Sequence, residues 1–127
     1  MQISHIALWV KDLEKMRNFY ELFFHVTVSE KYKNPAKEFS SYFISFESGS
    51  RLELMHSPHV LSSDEPTERI GYAHMAISLG SPQEVDRLTE TLRQSGYSVI
   101  GEPRVTGDGF YESVVLDAEG NTLELVE

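Results

Sequence analysis

The sequence contains no cysteine, and this absence removes several kinds of site at once. Disulfide bonds, thiolate zinc sites, iron–sulfur clusters and a cysteine nucleophile all depend on that residue. Any metal ion bound by this chain must therefore be held by histidine, aspartate, glutamate or water.

Long apolar runs and basic clusters are missing as well. No run approaches the roughly 20 apolar residues that a membrane helix needs, and no basic stretch leads into an apolar segment at the N-terminus, so no signal peptide is predicted. The 20 acidic and 11 basic residues give a formal net charge of −9, which repels phosphate backbones and anionic membrane surfaces. We therefore expect a cytoplasmic protein that binds neither nucleic acid nor membrane.

Two short segments occur twice in the sequence at nearly the same spacing. His5-Ile6-Ala7-Leu8 returns 69 positions later as His74-Met75-Ala76-Ile77. Leu52-Glu53-Leu54-Met55 returns 71 positions later as Leu123-Glu124-Leu125-Val126. Two matches with almost equal offsets indicate an internal duplication.

The duplication divides the chain into two modules. With 127 residues, of which 40% are hydrophobic and 24% charged, the composition is that of one soluble globular domain. We predict a single domain over residues 1–127. It consists of module 1 at 1–56, a linker rich in proline, serine and acidic residues at 57–70, and module 2 at 71–127.

The two modules show the same order of predicted elements. An amphipathic helix begins after the N-cap Asp12 in module 1 and after the N-cap Ser81 in module 2, where Gly96 ends it. Alternation and β-rich composition predict the strands. The predicted strands are 2–10, 26–32, 42–46 and 52–55 in module 1, and 72–79, 97–100, 111–116 and 122–126 in module 2. Each module is therefore βαβββ, which predicts an α+β fold whose two modules share a core or pair with a second chain.

Strand alternation places two histidines and two glutamates on the same side of their strands. His5 and His74 lie opposite the apolar face that a helix covers in the first strand of each module. Glu53 and Glu124 alternate with core-facing leucines in the last strand of each module. The duplicated pattern thus predicts two His–Glu pairs.

Two imidazoles and two carboxylates form a donor set suited to Zn, Ni, Co, Mn or Fe(II). A divalent cation would cancel the charges of two glutamates that otherwise face each other at a cost on a partly desolvated surface. A single histidine on a strand or a single exposed glutamate has ordinary structural roles, so the metal interpretation depends on the duplication. We predict His5, Glu53, His74 and Glu124 as ligands of one divalent ion, with its remaining positions open to water or substrate.

On these residues the chain resembles the vicinal oxygen chelate superfamily. The resemblance is carried by the paired modules, the early H-x-A-L strand, Phe19-Tyr20 in the first helix and the closing D-x-E-G-N-x-L-E-L signature at 117–125. It covers essentially the whole chain, and the His, Glu, His, Glu order is most similar to glyoxalase I, where the four positions ligate one divalent metal ion. The resemblance implies a glyoxalase-like fold, with two βαβββ modules forming a cupped mixed β-sheet in a homodimer.

The resemblance also implies a reaction. Glyoxalase I converts the hemithioacetal of methylglyoxal and a thiol into a lactoyl thioester, so a small-molecule substrate is expected. A metal-bound Lewis acid would stabilise the developing enediolate, and a metal-ligating glutamate would move the carbon-bound proton. Glu124 is the first choice for this catalytic base and Glu53 the second.

The sequence departs from the glutathione-dependent glyoxalases in two places, and one of them is His56-Ser57 after Glu53, where a polar asparagine is expected. Those enzymes place an arginine shortly after the first histidine, where this chain has Trp9. Trp9 lies on the ligand face and can stack on a planar or apolar substrate, or it can fill a dimer interface. Arg51, Arg69 and Arg104 are not assigned to the site by the sequence.

Two further classes of function stay open at this level. One is another metalloenzyme of the superfamily, either an Fe(II) dioxygenase or a transferase that adds a thiol to an antibiotic. The other is a metal-free protein that binds and sequesters a small molecule. The sequence also leaves open whether the four ligands come from one chain or are shared across a dimer.

Overall fold

A computed structural model of the chain describes residues 3–61, 71–107 and 109–127. The chain divides into two compact units, Met1–Glu65 and Pro66–Glu127, each with a mixed β-sheet and an α-helix. This architecture confirms the predicted α+β class. Within the described ranges, no helix has the length and apolar character needed to cross a membrane.

The elements follow the duplicated order. The first unit consists of β1 (His5–Trp9), α1 (Leu13–Phe23), β2 (Thr27–Val28), β3 (Tyr32–Asn34), β4 (Phe39–Ser45) and β5 (Arg51–His56), with a short 3₁₀ turn at Pro35–Lys37. The second unit consists of β6 (Met75–Ser78), α2 (Pro82–Gln94), β7 (Val99–Val105), β8 (Tyr111–Leu116) and β9 (Thr122–Val126).

The same pairing scheme arranges the strands of both sheets. The first sheet has the order β1-β5-β4-β2, with β3 also paired to β4, and the second has the order β6-β9-β8-β7. In each sheet the first strand of the unit runs parallel to the last one, and the other pairings are antiparallel. The strand that carries His5 therefore lies directly beside the strand that carries Glu53, and the strand that follows His74 lies directly beside the strand that carries Glu124.

Both helices begin where the sequence predicts. The side chain of Asp12 accepts the backbone N–H of Lys15 (2.9 Å) at the start of α1, and the side chain of Ser81 accepts that of Glu84 (3.3 Å) at the start of α2. Each cap satisfies a backbone donor that has no partner within its own helix. Gly96 follows the end of α2 with φ +88°, a conformation that favours glycine.

Each helix covers one face of the sheet in its own unit. The apolar side of α1 packs on β4 and β5, and that of α2 packs on β7, β8 and β9. Burial of each large side chain contributes about 1.5–3 kcal/mol of hydrophobic stabilisation. The buried core residues include Met16, Phe19, Tyr20, Ile44, Leu52 and Leu54 in the first unit, and Val85, Leu88, Leu92, Val115, Leu123 and Leu125 in the second.

The prediction of one continuous strand over 26–32 is wrong, because the structure has two short strands there, β2 and β3. Ser29, which lies between them, donates its backbone N–H to the carbonyl of Phe43 (2.9 Å), and its hydroxyl accepts the N–H of Phe43 (2.9 Å). A side-chain oxygen thus replaces a backbone carbonyl in the ladder. This substitution accommodates one extra residue opposite β4, as in a β-bulge.

The predicted strand at 97–100 starts and ends too early, since β7 runs from Val99 to Val105. Its pairing with β8 shifts register on both sides of Gly101. A Cβ atom on Gly101 would lie 2.9 Å from Cγ2 of Val114, so the close approach of the two strands requires glycine there. Gly101 therefore lies within an irregular part of β7 and does not end the strand.

The expectation that a helix covers the apolar face of the first strand holds only for part of that face. Ile6 is 39% exposed, whereas Val10 at the other end of the same face is buried. The reason is the position of β1, which lies beyond β5 in the pairing order, while α1 packs on β4 and β5.

Candidate metal centre

In the first unit, the parallel pairing of β1 and β5 brings His5 close to Glu53. Ala7 lies opposite Glu53, so His5 is two residues before the partner of the glutamate. Nε2 of His5 is 3.9 Å from Oε2 of Glu53. The hydroxyl of Ser4 lies 3.2 Å from Nδ1 of His5, and this contact leaves Nε2 as the nitrogen that faces the carboxylate.

The second unit repeats this relation between strands. Ala76 lies opposite Glu124 in the pairing of β6 with β9, and His74 is again two residues before that partner. His74 immediately precedes β6 instead of lying within the predicted strand. Its Nε2 atom is 3.1 Å from Oε2 of Glu124.

The four side chains are accessible from solvent, whereas the residues on either side of each glutamate are not. The side chains of His5 and His74 are 40% and 41% exposed, and those of Glu53 and Glu124 are 15% and 22% exposed. The leucines on either side of each glutamate are buried. The alternation predicted for β5 and β9 is therefore confirmed, and each His–Glu pair lies on the sheet face opposite the helix.

The geometry of the pairs fits the donor set of a divalent ion. Two donor atoms that bind one ion at about 2.1 Å in neighbouring positions lie roughly 3 Å apart. The 3.1 Å separation of His74 and Glu124 matches this value, and the 3.9 Å separation of His5 and Glu53 is somewhat longer. Among the residues that the structure describes, no group of three or more His, Asp or Glu side chains is close enough to hold an ion. Each unit thus brings one predicted histidine and one predicted glutamate together.

A turn organised by the buried side chain of Asp117 precedes the strand that carries Glu124. Oδ1 of Asp117 accepts the backbone N–H groups of Glu119 and Asn121 (both 2.9 Å), and both carboxylate oxygens accept from the Asn121 side chain. Burial raises the pKa of the Asp117 carboxyl, while the hydrogen bonds from Asn121 and Glu119 act in the opposite direction. This residue lies in the closing signature and fixes the turn before β9.

The structure adds two residues to the first pair that were not identified from the sequence. Phe43 lies opposite Glu53 in the β4–β5 ladder, and its ring meets that of His5 edge-on, with 5.4 Å between centroids. The guanidinium carbon of Arg51 lies 4.4 Å from the centroid of Phe43. Arg51 therefore belongs to the ligand face, although the sequence did not assign it to the site. The available signal was its spacing, because residues two apart on a strand share a face.

Trp9 lies on the same face of β1 as His5 and is 47% exposed. Its ring meets that of Phe39 edge-on at 6.0 Å, and Phe39 contacts Tyr32 at 6.1 Å between centroids. We call Trp9, Tyr32 and Phe39 the aromatic cluster. Its position makes stacking on a ligand geometrically possible, and the choice between ligand contact and dimer contact stays a prediction.

Three further basic residues make contacts outside the two His–Glu pairs. His56 donates from Nδ1 to the carbonyl of Val10 (3.0 Å), and Nε2 of His59 lies 2.8 Å from Oε2 of Glu38. Arg104 forms an ion pair with Glu112 at 3.3 Å in the second unit. Arg69 lies outside the described residues.

Comparison with known proteins gives a family match over nearly the whole chain. The model of the Glyoxalase/Bleomycin resistance protein/Dioxygenase superfamily matches residues 2–125. The chain is 33% identical over 127 residues to the lactoylglutathione lyase of Arabidopsis thaliana, covering 97% of this chain and 43% of that protein. It is 26% identical over 128 residues to the lactoylglutathione lyase of Haemophilus influenzae, covering 100% of this chain and 93% of that one. The chain thus spans less than half the length of the plant relative.

Solved structures share the fold. Glyoxalase I of Leishmania major, described as trypanothione-dependent, aligns with a TM-score of 0.80 and 24% identity, over 100% of this chain and 86% of that one. A glyoxylase/bleomycin resistance protein/dioxygenase domain from Frankia sp. EAN1pec aligns with a TM-score of 0.84 and 19% identity, over 99% of this chain and 96% of that one. At these identities the likeness establishes the glyoxalase-like fold that the sequence predicts. With the family model matching residues 2–125, the chain belongs to the glyoxalase/bleomycin resistance protein/dioxygenase superfamily.

Proposed function

We propose that this protein is a divalent-metal-dependent lyase of the glyoxalase I type, acting on a thiol hemithioacetal or a similar small substrate. The observation that carries the proposal is the repeated His–Glu pair, which occupies the same register position in both sheets. Relatives named lactoylglutathione lyase, at 26–33% identity, support the reaction class.

We further propose that His5, Glu53, His74 and Glu124 ligate one divalent ion, with Ni, Zn, Co, Mn and Fe(II) all suited to the donor set. When bound, such an ion supplies Lewis acidity to vicinal substrate oxygens on which negative charge develops. The histidines would donate through the Nε2 atoms that face the carboxylates. Two glutamates and one divalent ion together carry no net charge, so the set avoids an uncompensated charge on a partly desolvated face.

A glutamate of the set would act as the catalytic base. Glu124 is our first choice and Glu53 the second, since either carboxylate is only partly exposed and reaches the open face of its sheet. The carboxylate would take the proton bound to one carbon of the substrate and return it to the neighbouring carbon. The step is a net isomerisation of the adduct, so it needs neither an oxidant nor a reductant.

Trp9 is proposed to contact the substrate. Its exposed ring, supported edge-on by Phe39, offers a flat apolar surface on the face that carries His5. An aromatic ring in this position favours a planar or apolar substituent. A homodimer remains the expected assembly, and its formation stays a prediction.

The deciding experiment is the metal stoichiometry of the 127-residue chain. After reconstitution with Ni or Zn and desalting, native mass spectrometry should find about one ion per chain in the wild type, because both pairs serve one ion. The ion should be lost from His74→Ala and retained by His59→Ala, whose histidine pairs with Glu38 away from the site.

Any other metal stoichiometry would contradict the proposed single-ion site. Two ions per chain would mean that each pair acts separately, which contradicts the single site. A wild-type protein that retains no ion would overturn the metalloenzyme and favour a metal-free binding protein of the same fold. With one ion bound, hemithioacetal turnover measured with several thiols then tests the reaction itself.

A further inference from the structure

We propose that Arg51, held over the ring of Phe43, binds an anionic group of the substrate, a carboxylate, beside the His5–Glu53 pair. This inference rests on the proposed function for the reaction, but it concerns which substrates the site selects. It assigns a role in substrate specificity to Arg51.

The pairing of three strands places Arg51 at the site. Arg51 lies directly opposite His5 in the ladder of β1 and β5, and it is two residues before Glu53 on β5. Phe43 on β4 lies opposite Glu53 and contacts both the guanidinium and the imidazole. The cation is therefore adjacent to the first His–Glu pair on the same open face.

The guanidinium of Arg51 is available to a ligand. It is exposed, and in the described part of the chain it takes part in no ion pair or hydrogen bond, its contact being the face of Phe43. Packing on an aromatic ring holds the plane of the guanidinium, while its N–H groups at the rim remain free to donate. Arg104 on the second sheet is different, because Glu112 already neutralises it at 3.3 Å.

The second module gives an internal comparison. There Val114 lies opposite Glu124, and Thr122 is the residue two before it. The His–Glu pair is thus repeated, but neither the aromatic ring nor the cation is. Phe43 and Arg51 are consequently not required to build such a pair, which indicates a task that only the first module performs.

Because the protein carries a negative net charge, a cation at the site has a large effect on whether an anionic ligand can bind there. A formal net charge of −9 repels anions in general. A fixed guanidinium next to the pair provides a local attraction, and its planar donors match a carboxylate in a bidentate manner. The substrate class that follows is a thiol adduct with one carboxylate near the reacting carbons.

The test compares acidic and neutral ligands in wild type, Arg51→Gln and Arg51→Lys. The matched control is Arg87→Gln, since Arg87 lies on α2 and pairs with Glu84. Turnover is measured with methylglyoxal adducts of 3-mercaptopropionate and of its neutral amide. Binding is measured separately by NMR titration of the zinc-reconstituted protein with 3-(methylthio)propionate and its amide, so that this readout needs no turnover.

We expect wild type and Arg87→Gln to prefer the carboxylate in both readouts. Arg51→Gln should lose about tenfold in affinity and kcat/KM for the carboxylate ligands, with the amides nearly unchanged. Arg51→Lys should keep part of the preference, because it retains the charge but not the planar fork. Thermal melting of each variant verifies that the exposed substitution leaves the fold intact.

The two proposals fail in different ways. If the wild type turns over neither adduct, yet Arg51→Gln alone loses the preference in binding, the proposed reaction is overturned and the role of Arg51 stands. If the wild type does not prefer the carboxylate, or if Arg51→Gln keeps the preference, the role of Arg51 is overturned whatever the turnover.

Discussion

The buried carboxylate of Asp117 organises the turn that precedes β9. It is almost fully buried, and the N–H donors of Glu119 and Asn121 converge on it to form the turn before β9. Burial raises its pKa, and the hydrogen bonds oppose the rise. The residue stabilises the turn through its geometry, while its ionised form costs free energy to bury.

The pH dependence of stability tests this balance at the residue scale. Because the pKa of Asp117 is higher in the folded chain than in the unfolded chain, its contribution is fully present below the unfolded pKa of about 3.9 and is lost as pH rises through the folded value. Urea denaturation measures the free energy of unfolding of wild type and of Asp117→Asn at each pH. We expect the difference, wild type minus variant, to fall as pH rises above about 4.

A matched control separates this effect from general charge removal. Glu47 is exposed, so Glu47→Gln should differ from wild type by less than about 0.5 kcal/mol. If the advantage of wild type over Asp117→Asn grew with pH instead, the hydrogen bonds would outweigh the burial and the pKa of Asp117 would be lowered by folding.

At the element scale, a polar contact joins α2 to its sheet inside the apolar core. The hydroxyl of Thr89 donates to the carbonyl of Val85 (2.6 Å) and lies 2.6 Å from the hydroxyl of Ser113 on β8. Both side chains are fully buried. With the Thr89 proton directed to Val85, Ser113 is the donor of the second hydrogen bond, so the two residues form one chain of donors and acceptors.

A double-mutant cycle tests whether these two hydroxyls act as a unit. Thr89→Val leaves the Ser113 hydroxyl buried without its acceptor, which costs about 1–3 kcal/mol, and Ser113→Ala costs about 1 kcal/mol. The double variant should be less destabilised than the sum of the two by at least about 0.5 kcal/mol, measured by urea denaturation. Additive effects would mean that the hydroxyls do not share a hydrogen bond.

The elements themselves were largely predictable because their signals are local. The caps Asp12 and Ser81, the glycine at position 96 and the alternation in β5 and β9 depend on residues close together in the sequence, and the structure confirms them. The division between β2 and β3 was not predictable in this way. It depends on a hydrogen bond between Ser29 and Phe43, which are distant in sequence.

At the scale of the whole molecule, the proposed single ion would bind one His–Glu pair from each unit, so ion binding should raise the stability of both units together. For wild type, Ni or Zn at 100 times its Kd should raise the free energy of unfolding by about 2.7 kcal/mol. His5→Ala and His74→Ala should each lose this gain, and His59→Ala should keep it. Thermal or urea unfolding with and without the ion measures it, and a gain that survives in His74→Ala would exclude the second unit from the site.

The duplication, the fold class and the face of the sheet on which Glu53 and Glu124 lie could be predicted from the sequence alone. These features follow from composition and from strand periodicity, which fixes the face of every second residue. The neighbours of the histidines and glutamates depend instead on long-range packing. The contact of Arg51 with Phe43 and the exposure of Ile6 depend on which strands pair, in which register and under which helix. Such relations join residues far apart in the chain, so local sequence patterns do not encode them.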